Sequence, residues 1–440
     1  MTLGVVLAHG IGGRSDLPLP LWLFAYGAGT ALLISFVALR ILWPRPRLDA
    51  VAAGRPAPGW ATVVADGAGV AGRLLGVALF ALVLAAAAFG SDSAAANLAP
   101  VAVYVLFWVG LALVSAVVGD VWRVLSPWDT IAAVAARLRG RRQDGPVRPL
   151  EDATHWPAAA GLFAFVWLEL CYHEPASPPV LTLALIAYAV VMLAGAARWG
   201  RAWLRTGDGF GVWFGLLATM APPYRDDQGR LRWRVPFSGL ASVTPRAGTE
   251  AVVLVLLGST AFDGLTRSSF WADVVGTRSG WEATLVSTVG LVWTTGIVAL
   301  IYTGAMRLAA RLTDREPGSL VAPFLHSLIP IALAYTVAHY FSLFVFEGQQ
   351  AIALVSDPFS LGWDLFGTID RGIDFRAVST TTIAFVQAGA IVVGHVVGVA
   401  VAHDRAVGMF DRVEANRSQE PLLAVMVTYT VGGLALLLGS

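Results

Sequence analysis

The sequence predicts an all-α, polytopic integral membrane protein, a bundle of about ten transmembrane helices with both termini extracytoplasmic. Three observations carry that expectation. The 440 residues are 57% hydrophobic and only 13% charged, with a mean hydropathy of +0.69, far outside the range of soluble domains. Apolar stretches of bilayer length recur from end to end. Arginine, which supplies every basic side chain other than histidine, collects in alternate loops.

The apolar spans fall at about 20–42, 72–90, 98–119, 157–175, 179–197, 248–265, 282–306, 318–346, 380–402 and 421–439. Each holds roughly the 20 residues that an α-helix needs to cross the hydrocarbon layer. Arg45, Arg47 and Arg55 follow the first span, and Arg137, Arg139, Arg141, Arg142 and Arg148 the third. Arg201, Arg205, Arg225, Arg230, Arg232 and Arg234 follow the fifth, Arg307, Arg311 and Arg315 the seventh, and Arg405, Arg412 and Arg417 the ninth. Intervening loops hold two arginines or none. Because positive loops stay cytoplasmic, every crossing agrees with outside termini. The chain then divides into an extracytoplasmic tail 1–19, five spans in 20–197, a cytoplasmic segment 198–247, and five spans in 248–440.

Two stretches depart from simple crossing. Gly207 to Pro223 is apolar, short and glycine-broken between arginine-rich flanks, which predicts an interfacial or re-entrant helix. The outside loop 347–379 mixes aromatics with Asp357, Asp364, Asp370 and Asp374; Asp-Pro and Gly-Trp predict ordered turns, and its length suits a lid. In the tail, Val6-Leu7-Ala8 before His9 resembles a signal-peptidase site with too little chain ahead of it for a signal peptide.

The chain is organised around 318–347, uncharged between Glu316 and Glu347 yet carrying His326 and His339. His395 and His403 lie on the next span, so two neighbouring segments hold four of the seven histidines. Ionisable groups at membrane depth are costly, and their default reading is functional. At ~1.5 Å per residue, His326 and His395 fall in the inner half at comparable depth, and His403 at the cytoplasmic interface. The outer half receives His339, Glu169, Asp263 and, at its mouth, His173. A helix turns about 100° per residue, so His326 and His339 share a face only if Pro330 kinks the span. Tyr335, four residues before His339, does share its face and is expected to orient it.

Two clusters follow. The inner one is His326 with His395; interhelical packing is its structural alternative, since Gly394 and Gly398 beside His395 allow a close helix approach. The outer one is His339, Glu169, Asp263 and His173, a mixed imidazole and carboxylate set that suits a divalent metal, zinc or copper, with an open water position. Glu169, flanked by Trp167, Leu168 and Leu170, needs a partner or a proton. Helix capping is the alternative for Asp263, interfacial anchoring for His403 and solvation for His155. A single cysteine, Cys171, excludes an internal disulfide and any thiolate metal cluster. Motifs of serine hydrolases, zincins, thiol oxidoreductases and P-loop enzymes are absent.

The runs LAHGIGGRSDLPLPLWLFAYGAG, HSLIPIALAYTVAHYFSLFVF and GHVVGVAVAHDRA resemble actinobacterial membrane proteins known as fenitrothion hydrolase, along essentially the whole chain. The resemblance implies a membrane-bound hydrolase that cleaves the aryl ester of a phosphorothioate, and it transfers no catalytic residue. A metal would supply the hydroxide-like nucleophile and the Lewis acid for such chemistry. Under that expectation His339, Asp263, His173, His326 and His395 are the candidate ligands, with Glu169 and Tyr335 in catalytic roles. A proton- or metal-coupled transporter is the competing expectation, and bis-histidine haem between the eighth and ninth spans a weaker one. The expected surroundings are the lipid bilayer of a bacterial cytoplasmic membrane, an apolar small molecule and a partner membrane subunit; no nucleic-acid partner is expected.

Overall fold

The computed structural model describes residues 21–138 and 153–438. His9 and four of the arginines that follow the third span lie outside them. The described chain is helical but for a small antiparallel sheet, and eight of its helices are long and apolar enough to cross a membrane. The chain is thus an all-α, multi-pass membrane protein.

The helices that build the bundle are α1 (Leu21–Leu42), α2 (Gly59–Phe89), α3 (Leu98–Val118), α4 (Trp156–Leu170), α5 (Pro178–Trp199), α6 (Gly209–Ala218), α7 (Thr249–Thr266), α8 (Gly280–Leu312), α9 (Val321–Leu354), α10 (Thr380–Met409) and α11 (Arg412–Leu438). Of these, α4 and α6 are apolar but short. One continuous core joins α1, α3, α4 and α6 to the second half of the chain. The most enclosed span is α9, 72% buried over its most apolar window, against 17% for α2. It packs on α7, α10 and the wide π-turn of Val101–Gly110 within α3. A helix enclosed on all sides has no hydrophobic stripe, which is why apolar residues run all round α9.

Pro323 and Pro330 shape α9. Proline lacks an N–H and disfavours the α conformation in the residue before it. The span accordingly tightens into a 3₁₀ turn over Leu325–Leu328 and resumes as an α-helix at Ile329. Against it, α10 runs in a register set by two glycines. A β-carbon at Gly394 would meet the Ala334 methyl and the Pro330 carbonyl, and one at Gly398 the Ser327 carbonyl. The small-residue spacing read from the sequence is therefore a backbone-to-backbone seam.

The segment around α6 is decided by burial. Phe210, Val212, Trp213, Phe214, Leu216 and Leu217 are all buried, whereas a helix lying on an interface would leave one face out. It inserts between α3, α4 and α9 and is enclosed by them. Its ends are held by polar groups. Asp208, just before α6, accepts from Trp122 Nε1 at 2.9 Å and from the Tyr188 hydroxyl at 2.7 Å. At the other end the Arg234 guanidinium donates to the carbonyls of Ala218 and Ala221, satisfying groups that a helix end leaves bare. Arg234 follows the sheet, in which β1 (Arg55–Pro56) and β2 (Pro223–Arg225) flank β3 (Leu231–Trp233). The sheet ties two arginine-rich loops together.

The loop expected at 347–379 starts later, because α9 runs on to Leu354; from Val355 it has the turns that its sequence predicts. Asp357 accepts from the backbone N–H groups of Leu361 and Gly362, and Asp364 from the Ser356 hydroxyl and the Thr368 N–H. The Ser360 hydroxyl donates to the Ala96 carbonyl, which docks this loop on the one between α2 and α3.

The seam gives a stability prediction. Gly394→Leu forces a side chain into Ala334 and Pro330, and overpacking of this kind costs about 1–3 kcal/mol. The melting temperature in detergent should fall by several degrees for Gly394→Leu. The same substitution at Gly389, where a β-carbon meets nothing within 4 Å, should leave it unchanged. Equal behaviour of the two variants would remove the seam from the argument.

Candidate functional site

Three helices bring ionisable side chains to one place. Asp263 lies one turn before the end of α7, His339 and Tyr340 are consecutive on α9, and Glu169 is at the end of α4. Asp263 and His339 are almost wholly buried, with His339 Nε2 2.6 Å from Asp263 Oδ2. That distance is an ion-pair approach and not an aligned hydrogen bond, because Nε2 has no partner of acceptable angle. Successive residues on a helix point about 100° apart, yet both His339 and Tyr340 reach Asp263 on α7. The Tyr340 hydroxyl comes within hydrogen-bond reach of both Asp263 and Glu169. Arg267, one turn beyond Asp263, adds a positive charge felt at Tyr340.

The site is therefore a chain: Glu169, Tyr340, Asp263, His339. Its charges are few and tightly coupled. With Arg267 positive and both carboxyls ionised, a neutral total requires imidazolium at His339; with one carboxyl protonated, the imidazole must be neutral. Adding or removing a single proton changes the net charge in a dry setting, where each uncompensated charge costs several kcal/mol.

The other sequence candidates are placed elsewhere. His173 hydrogen-bonds the Thr284 hydroxyl at 3.1 Å and packs between Tyr172 and Trp281. The Tyr335 hydroxyl donates to the Tyr429 carbonyl at 2.8 Å; the ring edge-on to His339 is that of Tyr340, so the sequence assignment of Tyr335 as its orienting partner is corrected. His326 and His395 are not opposed at equal depth. His326 contacts the backbone of Pro323 and Val401, while the His395 ring lies against Tyr335 and its Nδ1 donates to the Ile391 carbonyl at 2.8 Å. Val401 is six residues from His395, ~9 Å along the helix. The glycine seam, not the span ends, sets that offset.

His403 is enclosed, its Nδ1 3.0 Å from Gln419 Oε1 and its Nε2 3.0 Å from the Trp43 carbonyl. Asp404 beside it accepts from Trp43 Nε1 and the Arg47 backbone N–H. This pair clamps the end of α1 to α10 and α11. Among the described residues, no group of three or more His, Cys, Asp or Glu is placed to hold a metal ion. His339 and Asp263 are two donors, and the Tyr340 hydroxyl stands between them and Glu169. As placed, this donor set does not complete a three-ligand site.

Sequence reasoning missed Tyr340, Arg267 and Asp208. The Asp263–Arg267 spacing of four residues, one helix face, was a legible signal. Tyr340 carried none, since a tyrosine in an apolar span reads as packing. A cavity of about 370 Å³ adjoins the cluster, with His339 in its wall. Comparison with known protein families, curated proteins and solved structures finds no match, so the site is read from its own geometry.

His155, expected to be solvated, is partly buried at the start of α4, where its Nδ1 lies 2.9 Å from the Thr249 hydroxyl. Burial, with Arg246 nearby, lowers its pKa to about 4. The folded value lies below the unfolded one, so the neutral ring is favoured by folding. Stability should therefore be lost progressively as pH falls from about 6.5 towards 4, because the unfolded ring takes up a proton that the folded one resists. Thermal melts across that window should show a smaller decline for His155→Gln than for the wild type; parallel declines would assign the effect to other groups.

Proposed function

We propose that the protein is a proton-coupled membrane transporter whose coupling site is the Glu169–Tyr340–Asp263–His339 chain. One observation carries the reading: a buried carboxylate and imidazole 2.6 Å apart on two packed spans, with a second carboxyl reached through one tyrosine hydroxyl. Intramembrane acid and histidine groups in such arrangements are proton relays. The enclosed re-entrant α6 and the proline-broken α9 add support, since discontinuous helices line the binding sites of many transporters. We read the chain as crossing ten times, with α4 and α11 joining the eight long apolar helices. α6 is re-entrant from the cytoplasmic face, the arginine-rich loops are cytoplasmic, and both termini are extracytoplasmic in a bacterial cell membrane.

The test is a pH titration of vesicle-reconstituted protein followed by infrared spectroscopy in the carboxylic C=O region. Wild type should show a buried carboxyl that gains and loses its proton, and Glu169→Gln or Asp263→Asn should remove or displace that band. His339→Gln should shift its midpoint by about one unit or more, the effect of losing one close charge partner. A carboxyl region without pH response, or one unchanged in all three variants, would defeat the proposal.

A second reading is a metal-assisted hydrolase of apolar phosphorus esters, to which the family resemblance points. The convergence of His339 Nε2 and Asp263 Oδ2 favours it. Such a site needs three protein ligands and an open water position, and Glu169 would have to move to supply the third. Elemental analysis of detergent-purified protein separates the two readings. Stoichiometric zinc or copper lost with His339→Ala would favour hydrolysis. A folded wild type without metal leaves the proton relay, the outcome we expect.

A further inference from the structure

A small cavity of about 50 Å³ lies where the end of α1 meets α10 and the start of α11, lined by Arg40, Trp43, His403, Phe410, Arg412 and Asn416 among others. One water needs roughly 10–15 Å³ of such space, so the cavity admits a group the size of a phosphate. It falls well short of the roughly 300 Å³ at which pockets for whole drug-sized molecules begin. Arg412 and Asn416 are four residues apart on α11 and share one face of that helix.

The polar groups in this wall divide into committed and free. The two ring nitrogens of His403 lie against Gln419 Oε1 and the Trp43 carbonyl, and Trp43 Nε1 donates to Asp404. Arg40 donates to Glu420 at 3.2 Å, so the charge of that carboxylate is already balanced. Asp411 caps α11, accepting from the backbone N–H groups of Val413 and Glu414. What remains is the Arg412 guanidinium and the Asn416 amide, neither hydrogen-bonded or ion-paired to another described residue. Arg315, whose guanidinium stands 5.4 Å from the Phe410 ring, brings a further cation to the same wall. Free positive charge beside an amide suits an anion with several acceptor oxygens.

The position of the cavity says which anion. Arg40 is in the last turn of α1, and Trp43, Arg45 and Arg47 follow it, the composition of a span's end at headgroup level. Leu33, Val37 and Arg40 recur at i, i+4 and i+7 and share a face of α1. Leu33 is 50% and Val37 54% exposed, so an apolar track leads from the cavity along the span. A soluble phosphate uses the donors alone; a phospholipid uses both the donors and the track.

We propose that this cavity binds the phosphate of an anionic phospholipid through Arg412 and Asn416, with the acyl chains lying along Leu33 and Val37. Basic pockets between membrane helices receive anionic headgroups in this way. Bound there, the lipid ties α11 to α1 beside the His403 clamp. The site shares no residue with the proton-coupled reading and does not depend on it.

The experiment is native mass spectrometry of delipidated full-length protein in a neutral detergent, titrated with phosphatidylglycerol or with phosphatidylcholine of the same acyl chains. The first phosphatidylglycerol should bind about tenfold tighter, the weight of one charge-assisted contact. Arg412→Gln should remove that preference, and Asn416→Leu should weaken it severalfold. Arg417→Gln, which deletes an equal charge on another face of α11, should leave it intact. Melting temperatures without lipid should match the wild type in all three, since each side chain lacks a partner to lose. Inorganic phosphate at millimolar concentration should not displace the lipid; full displacement would make this a soluble-anion site and overturn the proposal. Equal binding of the two lipids would do the same, as would equal losses in Arg412→Gln and Arg417→Gln, the sign of a general charge effect. Glu169→Gln should leave lipid binding unchanged, so that failure of the coupling reading and failure of this site are told apart.

Discussion

The approach of His339 to Asp263 is the interaction on which the interior of the second half depends. Either group alone, taken out of water, would carry a desolvation penalty of several kcal/mol, and their attraction offsets it only while α7 and α9 stay in contact. Breaking the contact leaves an uncompensated charge among apolar side chains. Tyr340 extends the same logic to α4, because its hydroxyl ties the Glu169 carboxyl to that of Asp263. Three helices with little intrinsic preference for one another are thereby held in one arrangement. In a bilayer, where lipid tails compete equally well for apolar helix faces, polar contacts and close backbone packing are what remains to specify neighbours.

The two glycines of α10 supply the close backbone packing. With Gly394 against Ala334 and Pro330, and Gly398 against Ser327, α10 is pinned to the part of α9 where Pro330 has already disturbed the helix. The pinning fixes which histidine faces what: His395 meets Tyr335, and His326 meets Val401. The clamp formed by His403 and Asp404 on Trp43 and Gln419 anchors the lower end of the same helix. One helix thus carries a packing seam and a terminal clamp, and its polar residues serve chiefly to position. His339 and Tyr340, by contrast, are engaged with Asp263 of α7.

Much of the candidate site was legible in the sequence, for a definite reason. Glu169, Asp263 and His339 stand out because a charged or titratable side chain in an apolar span is expensive, and position along the span gives depth directly at ~1.5 Å per residue. Tyr335 and His173 show the limit of that reasoning. Both lie at suitable depths, yet Tyr335 turns to the Tyr429 carbonyl and His173 to Thr284. Depth is one coordinate; rotation about the helix axis and the identity of the neighbour are two more, and neither is written in hydropathy. Tyr340 was overlooked because an amphipathic ring in a span is as often packing as chemistry.

The sequence by itself determined that the chain is a multi-pass helical membrane protein and which titratable residues in its apolar segments must find partners. Those conclusions follow from the cost of placing backbone and charge in hydrocarbon, a property of each segment taken alone. The tertiary structure decided the rest: that α6 is enclosed, that His326 and His395 are offset, that Asp263 pairs with His339 across Tyr340 from Glu169, and that a cavity lies beside them. Each of these is a relation between segments far apart in the chain. It depends on register and rotation set by a few close contacts, and the cost of burying a segment is the same for every register.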